Sequence, residues 1–359
     1  MDFTFDETQQ AVAEAASGVL RREVDGAGGE VLLTDTGYEQ ALWKEMAKAG
    51  LLSLVLPEEL GGEGLGAVET AILLTEVGRN VAAVPALATV AFGVLPLVRL
   101  GTAAQQRDVL AEVAQGRVLT AAMNEVSAPT PAAPATSAVR DGDDYRVTGT
   151  KIAVSYAAQA YRMLVSTSAG VLLIDPHAQG VALVRTPSST QAPEYTVRLT
   201  DVRVPADQRL QGDAAELYRC AVAGIGALAD GLLSGALELT AKHLATRHQF
   251  GKPLASFQAV AQQIADVYVT SRTLHVAALS ANWRLAAGLD AGDDLDVLAY
   301  WVAAELPAAL QVCHHLHGGL GVDITYPLHR YSSLAKDLAR LVGGAAHRLD
   351  LLGAQCSSI

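Results

Sequence analysis

At 359 residues, half of them apolar and only 18% charged, the chain can fill two or three sub-domains and is neither disordered nor fibrous. Its 26 Lys+Arg against 38 Asp+Glu leave a formal net charge of −12. That argues against a general nucleic-acid or anionic-membrane surface, though not against a local basic pocket for phosphates.

In chain order, the acidic start through Asp2, Asp6 and Glu7 lacks the basic region that opens a secretory signal. Residues 1–117 read as a helical domain. Glu7 to Arg22 is amphipathic, Tyr38 to Ala49 is a second helix closed by Gly50, and Val68 to Gly78 follows a glycine-rich loop, Pro57 to Gly64. Val81 to Val98 is apolar enough to raise the question of a membrane span. Pro85, Gly93 and Pro96 interrupt it, so two buried helices joined by a turn are expected.

Residues 118–212 change texture. Val118 to Asn124, Tyr145 to Val154, Met163 to Thr167, Val171 to Ile174, Val181 to Arg185 and Tyr195 to Val204 are short and rich in Val, Thr and Tyr, which predicts a middle domain of antiparallel strands. Ser127 to Ser137, rich in Pro, Ala and Ser, reads as a loop. Residues 213–359 return to helical periodicity in Ala214 to Arg247, Ser256 to Ala287, Asp294 to His315 and Tyr331 to Leu352, a C-terminal bundle. The fold class is therefore mainly α with a middle antiparallel β domain. Cys220, Cys313 and Cys356 are widely spaced, offer neither a disulfide framework nor a zinc ribbon, and suit a reducing cytoplasm.

Two constellations carry chemistry. Arg247 to Gln258 lies between two long helices, where Gly251 and Pro253 end one helix and Ser256 can cap the next. An arginine at such a break can hold a phosphate in bidentate fashion, with Phe250 offering an aromatic face and Gln258 an amide. Spacing alone leaves equally open a plain helix–helix corner. The second constellation is His314 to Gly321, a glycine turn that lets a ligand approach the backbone. His314 and His317 share a helical face, but no carboxylate or cysteine completes a metal set, so no metal is expected.

The order Pro57 to Gly64, Gly149-Thr150-Lys151, Phe250-Gly251-Lys252-Pro253-Leu254 with Phe257-Gln258, and His317-Gly318-Gly319-Leu320-Gly321 resembles the acyl-CoA dehydrogenase family along essentially the whole chain. The resemblance implies an N-terminal helical domain, a β domain and a C-terminal four-helix bundle. It implies FAD as cofactor and α,β-dehydrogenation of an acyl-CoA thioester, with a carboxylate removing the α-proton and electron-transfer flavoprotein as acceptor. It assigns Arg247, Phe250 and Gln258 to the pyrophosphate and adenosine of an FAD bound mainly by a neighbouring subunit. His315, Gly318 and Gly319 are assigned to the same cofactor.

The family's contacts to a subunit's own flavin ring are altered here. Asn124-Glu125-Val126 stands where relatives have Thr-Glu-Pro, and Ala153 and Ser155 stand where they have an aromatic residue and Thr. Both places where the family keeps its catalytic Glu hold residues unable to take a proton, Ala221 and Val342. Glu216 and Asp230 lie five and nine residues from Ala221, roughly 140° and 180° around the helix, so neither substitutes directly. Glu125 remains as an outside alternative. Cys313 to Tyr331, with the tail Leu341 to Cys356, resembles the smaller, base-less subunit of actinobacterial steroid side-chain acyl-CoA dehydrogenases. Those are α2β2 heterotetramers with half the usual FAD sites, and the likeness is to the subunit acting at the three-carbon stage of cholesterol side-chain removal, on a 3-oxopregnene carboxyl-CoA. Three readings stay open: a half-site subunit completed by a catalytic partner, a homotetramer with a displaced base, and a pseudoenzyme that binds CoA esters without redox work.

Overall fold

The computed structural model describes residues 4–26, 37–126, 128–131 and 133–356, without the side chains of 22–26, 355 and 356. Ser127 and the Cys356 side chain therefore lie outside the described residues. Five helices come first: α1 (Glu7–Gly26), α2 (Gln40–Lys48), α3 (Ala67–Arg79), α4 (Leu87–Leu100) and α5 (Ala103–Ala114). Seven strands follow: β1 (Val118–Ala122), β2 (Ser137–Asp141), β3 (Asp144–Ser155), β4 (Ala160–Thr167), β5 (Gly170–Ile174), β6 (Val181–Thr186) and β7 (Glu194–Pro205). Then come α6 (Ala214–Thr246), the two-residue strands β8 (His248–Gln249) and β9 (Lys252–Pro253), α7 (Gln258–Ala286), α8 (Gly292–Tyr300), α9 (Leu306–His317), α10 (Leu328–Leu341) and α11 (Gly344–Cys356).

The helix α6 is the axle. Asp213 caps its start, accepting from the Glu216 amide at 3.1 Å. Its small residues let α3 cross it at backbone distance. A Cβ on Gly78 would stand 2.1 Å from the Leu228 carbonyl oxygen, and one on Gly231 1.8 Å from that of Thr75. One continuous apolar core therefore joins the N- and C-terminal helices, while the strands keep a second core of their own around Val147, Met163, Val165 and Val197. α6 is long and apolar enough to cross a membrane, but 89% of its most apolar window is buried inside the protein.

The structure corrects the sequence reading in four places. Val81 to Val98 holds one helix, not two: α4 runs unbroken because its first part, Leu87–Val94, widens into a π turn ahead of Pro96. The wider turn accommodates a residue that cannot donate to the ladder. The same device, Trp301–Glu305 ahead of Pro307, fuses α8 and α9. Tyr331 to Leu352 is two helices, because Gly343 and Gly344 take φ of +93° and +81°. The β domain is also not wholly antiparallel. One sheet, ordered β1-β4-β5, contains the parallel pair β1–β4, and the other is antiparallel in the order β2-β3-β7-β6. The strand β2 was hidden behind the Pro/Ala/Ser loop.

Candidate functional site

The first constellation folds into an exposed corner. α6 stops at Arg247, whose backbone turns extended, and the Leu254 amide donates back to the Arg247 carbonyl at 2.9 Å. Between them β8 and β9 form a minimal hairpin whose tip, Phe250 and Gly251, takes φ of +52° and +79°. Two left-handed residues match the twist of so short a hairpin, but a bulky aromatic residue is unusual there. Phe250 is 92% exposed, set edge-on to Phe257, over which Lys252 Nζ sits at 4.3 Å. Fold stability does not ask for an aromatic side chain at that tip.

Ser256 is not the cap expected for the next helix. Its hydroxyl donates to the Pro253 carbonyl, α7 begins at Gln258 after Phe257, and no side chain caps it. The first-turn amides of a helix of 29 residues are thus left for a ligand or solvent. Arg247, Phe250 and Gln258 are all exposed.

The glycine turn lies beside this corner. Gly318 ends α9 at φ +58°, and nothing stands within 4 Å of where a Cβ would project from Gly318 or Gly319. His315 is exposed on the last turn of α9. Its neighbours are used internally: His314 Nε2 meets Ser332 Oγ at 2.5 Å, while His317 meets the Cys313 carbonyl at 2.8 Å and the Tyr326 hydroxyl at 3.1 Å. The His317 ring also stacks on His243, one turn before Arg247 on α6, with centroids 4.4 Å apart. Burial lowers the pKa of both rings, and Arg247 adds to the effect on His243. Sequence spacing did not single out His243.

The positions expected to hold a base are closed. Ala221 and Val342 are each 1% exposed, and neither lines the cavity between α1 and α7 or the cleft at the start of α6. Over Val342 lies the segment that follows β1. Asn124 Nδ2 donates to the Leu341 carbonyl at 3.1 Å, and the Thr130 amide donates to Asn124 Oδ1 at 2.9 Å. Buried Arg348 donates to the Val342 carbonyl at 2.6 Å and to Thr130 Oγ1 at 3.3 Å. Pro129 packs so tightly on Gly343 that a Cβ there would stand 2.5 Å from it. One turn before Ala221, Tyr218 donates to Ser166 Oγ at 3.0 Å, which also accepts a hydrogen bond from Lys151 Nζ at 2.9 Å.

Glu125 anchors this segment. Its carboxylate accepts from Lys151 Nζ at 2.8 Å, from the Thr136 hydroxyl at 2.6 Å and from the amides of Ala135 and Thr136. Burial pushes its pKa up, but these bonds outweigh it and hold the group at about 2. Burial lowers Lys151, which is fully enclosed, and Glu125 opposes that. A carboxylate held this firmly as an anion is a poor proton acceptor. Glu216 is paired with Arg99 at 2.6 Å and Arg219 at 3.3 Å, and Asp230 with His275 at 2.9 Å. Where an aromatic residue was missed in the sequence, Ala153 sits at a β-bulge with φ +56°. Lys151 and Arg348 went unassigned because their role depends on partners far away in sequence.

An exposed arginine, an uncapped helix start, an aromatic tip and an open glycine turn can together hold a pyrophosphate-bearing aromatic ligand such as a dinucleotide. In the enclosed half, Ala221 and Val342 carry no group that can accept a proton, and the Glu125 carboxylate is engaged by Lys151 and Thr136.

Comparison with known proteins gives concordant matches. Residues 6–117 match the model described as "Acyl-CoA dehydrogenase, N-terminal domain", and residues 220–348 match "Acyl-CoA dehydrogenase, C-terminal domain". The chain is 50% identical over 359 residues to acyl-CoA dehydrogenase FadE28 of Mycobacterium tuberculosis, covering 99% of each chain. Among solved structures it resembles the Tcur3481-Tcur3483 steroid ACAD, with TM-score 0.89, 33% identity and 98% of each chain covered. It also resembles the ChsE4-ChsE5 complex from Mycobacterium tuberculosis, with TM-score 0.89, 30% identity and 100% of each chain covered.

Proposed function

The chain belongs to the acyl-CoA dehydrogenase family, and we propose that it serves there as the base-lacking half of a heteromeric, FAD-dependent enzyme. One contrast carries this reading. The positions where relatives keep a glutamate hold buried Ala221 and Val342, the second beneath a segment locked by Arg348, whereas Arg247, Phe250, Gln258, His315, Gly318 and Gly319 stand open at the surface. The reaction is α,β-dehydrogenation of an acyl-CoA thioester.

Bound FAD supplies hydride acceptance from the β-carbon, and the partner subunit supplies the glutamate that takes the α-proton. This chain's residues bind and orient. Arg247 would pair with the pyrophosphate of a cofactor shared with the partner, and the start of α7 would add backbone donors. Phe250 and Gln258 flank the adenosine. Gly318 and Gly319 let it come against the backbone, with His315 at the edge. An α2β2 assembly with one FAD for each pair of chains follows.

Two similar structures carry two-component names, and one of these is called a steroid enzyme. They support a partner subunit and a steroid side-chain substrate, which we read as a 3-oxopregnene carboxyl-CoA of cholesterol catabolism, with electron-transfer flavoprotein as acceptor. A homotetramer with a displaced base fits less well, because Glu125, Glu216 and Asp230 are all engaged elsewhere. The test is purification of the chain alone and with its co-expressed partner. The reading expects a colourless, inactive chain alone and a yellow, active complex. A yellow homomer that dehydrogenates acyl-CoA would overturn it.

A further inference from the structure

On the face of α6 opposite Ala221, roughly 180° around the helix, a cavity of about 360 Å³ lies between α1, α3, α6 and α7. Phe5, Ile72, Leu279 and Trp283 supply apolar wall. The polar part of the wall is rich in acceptors. Asp230, only 5% exposed, holds His275 Nδ1 at 2.9 Å, which leaves the other ring nitrogen as an acceptor when the imidazole is neutral. Glu76 receives Arg79 on Oε1 at 3.1 Å, while its Oε2 is buried without a hydrogen-bond partner among the described residues. Two neighbouring donors are already spent on the backbone: Thr75 on the Ala227 carbonyl, and Asn282 on the carbonyls of Ala223 and Ala278. The remaining donors are Arg79, held by Glu76, Arg272 at the exposed edge, and the hydroxyls of Ser234 and Ser271, which can donate or accept.

A buried carboxylate oxygen without a protein donor costs stability until a ligand or a water donates to it. The volume is that of a small-molecule site, apolar with a few convergent polar groups. The geometry points to a second ligand site in this chain. It takes a compact molecule with an apolar body and a single hydrogen-bond-donating head, an alcohol or an ammonium group, seated against Glu76 and the Asp230–His275 pair. The inference does not depend on the dehydrogenase role.

The test is titration calorimetry on the complex of this chain with its partner, using adamantanol, adamantylammonium and adamantane carboxylate as probes. The site expects one or both of the first two to bind and the carboxylate to be rejected. Leu279→Trp combined with Ser234→Phe, which narrows the cavity from two sides, should weaken binding strongly, with Ser234→Phe alone as a second filling variant should the first fail to fold. Glu76→Gln distinguishes the heads: it should weaken an ammonium ligand about tenfold, the loss of one charge-assisted hydrogen bond, and leave an alcohol nearly unchanged. Dehydrogenation by the Glu76→Gln complex should match wild type. Absence of binding by both donor probes, preference for the carboxylate, or binding indifferent to the filling variants would overturn the site.

Discussion

His243 and His317 stack with ring centroids 4.4 Å apart, and through them the end of α6 is fastened to the end of α9. This one contact brings Arg247 and the Gly318 turn, remote in sequence, to the same rim. Burial disfavours the charged form of both rings and lowers their pKa from the ordinary imidazole value.

The sign follows from linkage. A histidine whose pKa is lowered by folding contributes fully above its ordinary value of 6.5, and its contribution declines as pH falls below that value. Flavin retention by the complex should therefore weaken as pH drops below 6.5. His243→Phe, which keeps an aromatic face but cannot be protonated, should flatten that dependence. Identical pH profiles for the two proteins, read as flavin released on gel filtration, would remove the stack from the rim's architecture.

Lys151→Met should be among the most damaging single changes in the β domain. It strands the Glu125 carboxylate, and breaking a buried pair in this way costs about 3–5 kcal/mol. The double variant Glu125→Gln, Lys151→Met should regain most of that loss, read by chemical denaturation. Because Glu125 titrates at about 2 against an ordinary 4.5, its stabilisation is complete above 4.5 and fades as pH falls towards about 2. The stability gap between wild type and Glu125→Gln should narrow over that window.

Restoring a glutamate will not restore an enzyme. Ala221→Glu and Val342→Glu each place a carboxylate in a site that is 1% exposed, and the second is closed as well by Arg348, Thr130 and Pro129. Each should cost a few kcal/mol, of order 1–3 or more for an unpaired buried polar group, and give no dehydrogenation by the isolated chain. Measurable turnover by either variant alone would show that the buried site opens.

The bundle should not be stable as a monomer. α6 is buried along most of its length, whereas α7 exposes Tyr268, Val269 and Val276, and the segment after the glycine turn exposes Val322 and Ile324. Apolar surface of this kind marks an interface. Light scattering should find an assembly of several chains, and Val269→Glu should weaken it. A monodisperse, soluble monomer at micromolar concentration would contradict this.

Much of the fold was legible because its signals are local. Helical periodicity marked α1, α3, α6 and α7, and the Val/Thr-rich runs marked most strands. The family motifs also pointed to Arg247 and Gly318, which sit on caps and turns whose chemistry is written in adjacent residues. What stayed hidden depends on distant partners. β2 needed its pairing with β3 to become visible behind a Pro-rich loop. Lys151 reads as a solvated charge until Glu125, Thr136 and Ser166 are seen around it, and Arg348 gives no sign in sequence that it locks Val342 to Thr130. Ser256 looked like a cap by residue type, but its hydroxyl turns back to Pro253.

The central claim, that this chain supplies the outer half of a cofactor site completed by another subunit, rests most directly on Arg247. A charge-assisted bidentate contact to a pyrophosphate contributes on the order of 1.5–3 kcal/mol. Arg247→Ala should therefore weaken FAD retention roughly ten- to a hundredfold. Lys should rescue only part, because a point charge lacks the planar fork. The decisive measurement is the flavin-to-protein ratio of the co-purified complex, wild type against Arg247→Ala. The account predicts a markedly lower ratio, with turnover recovering when FAD is supplied in excess; an unchanged ratio would mean that Arg247 is an ordinary surface arginine at a helix corner and would contradict the cross-subunit role.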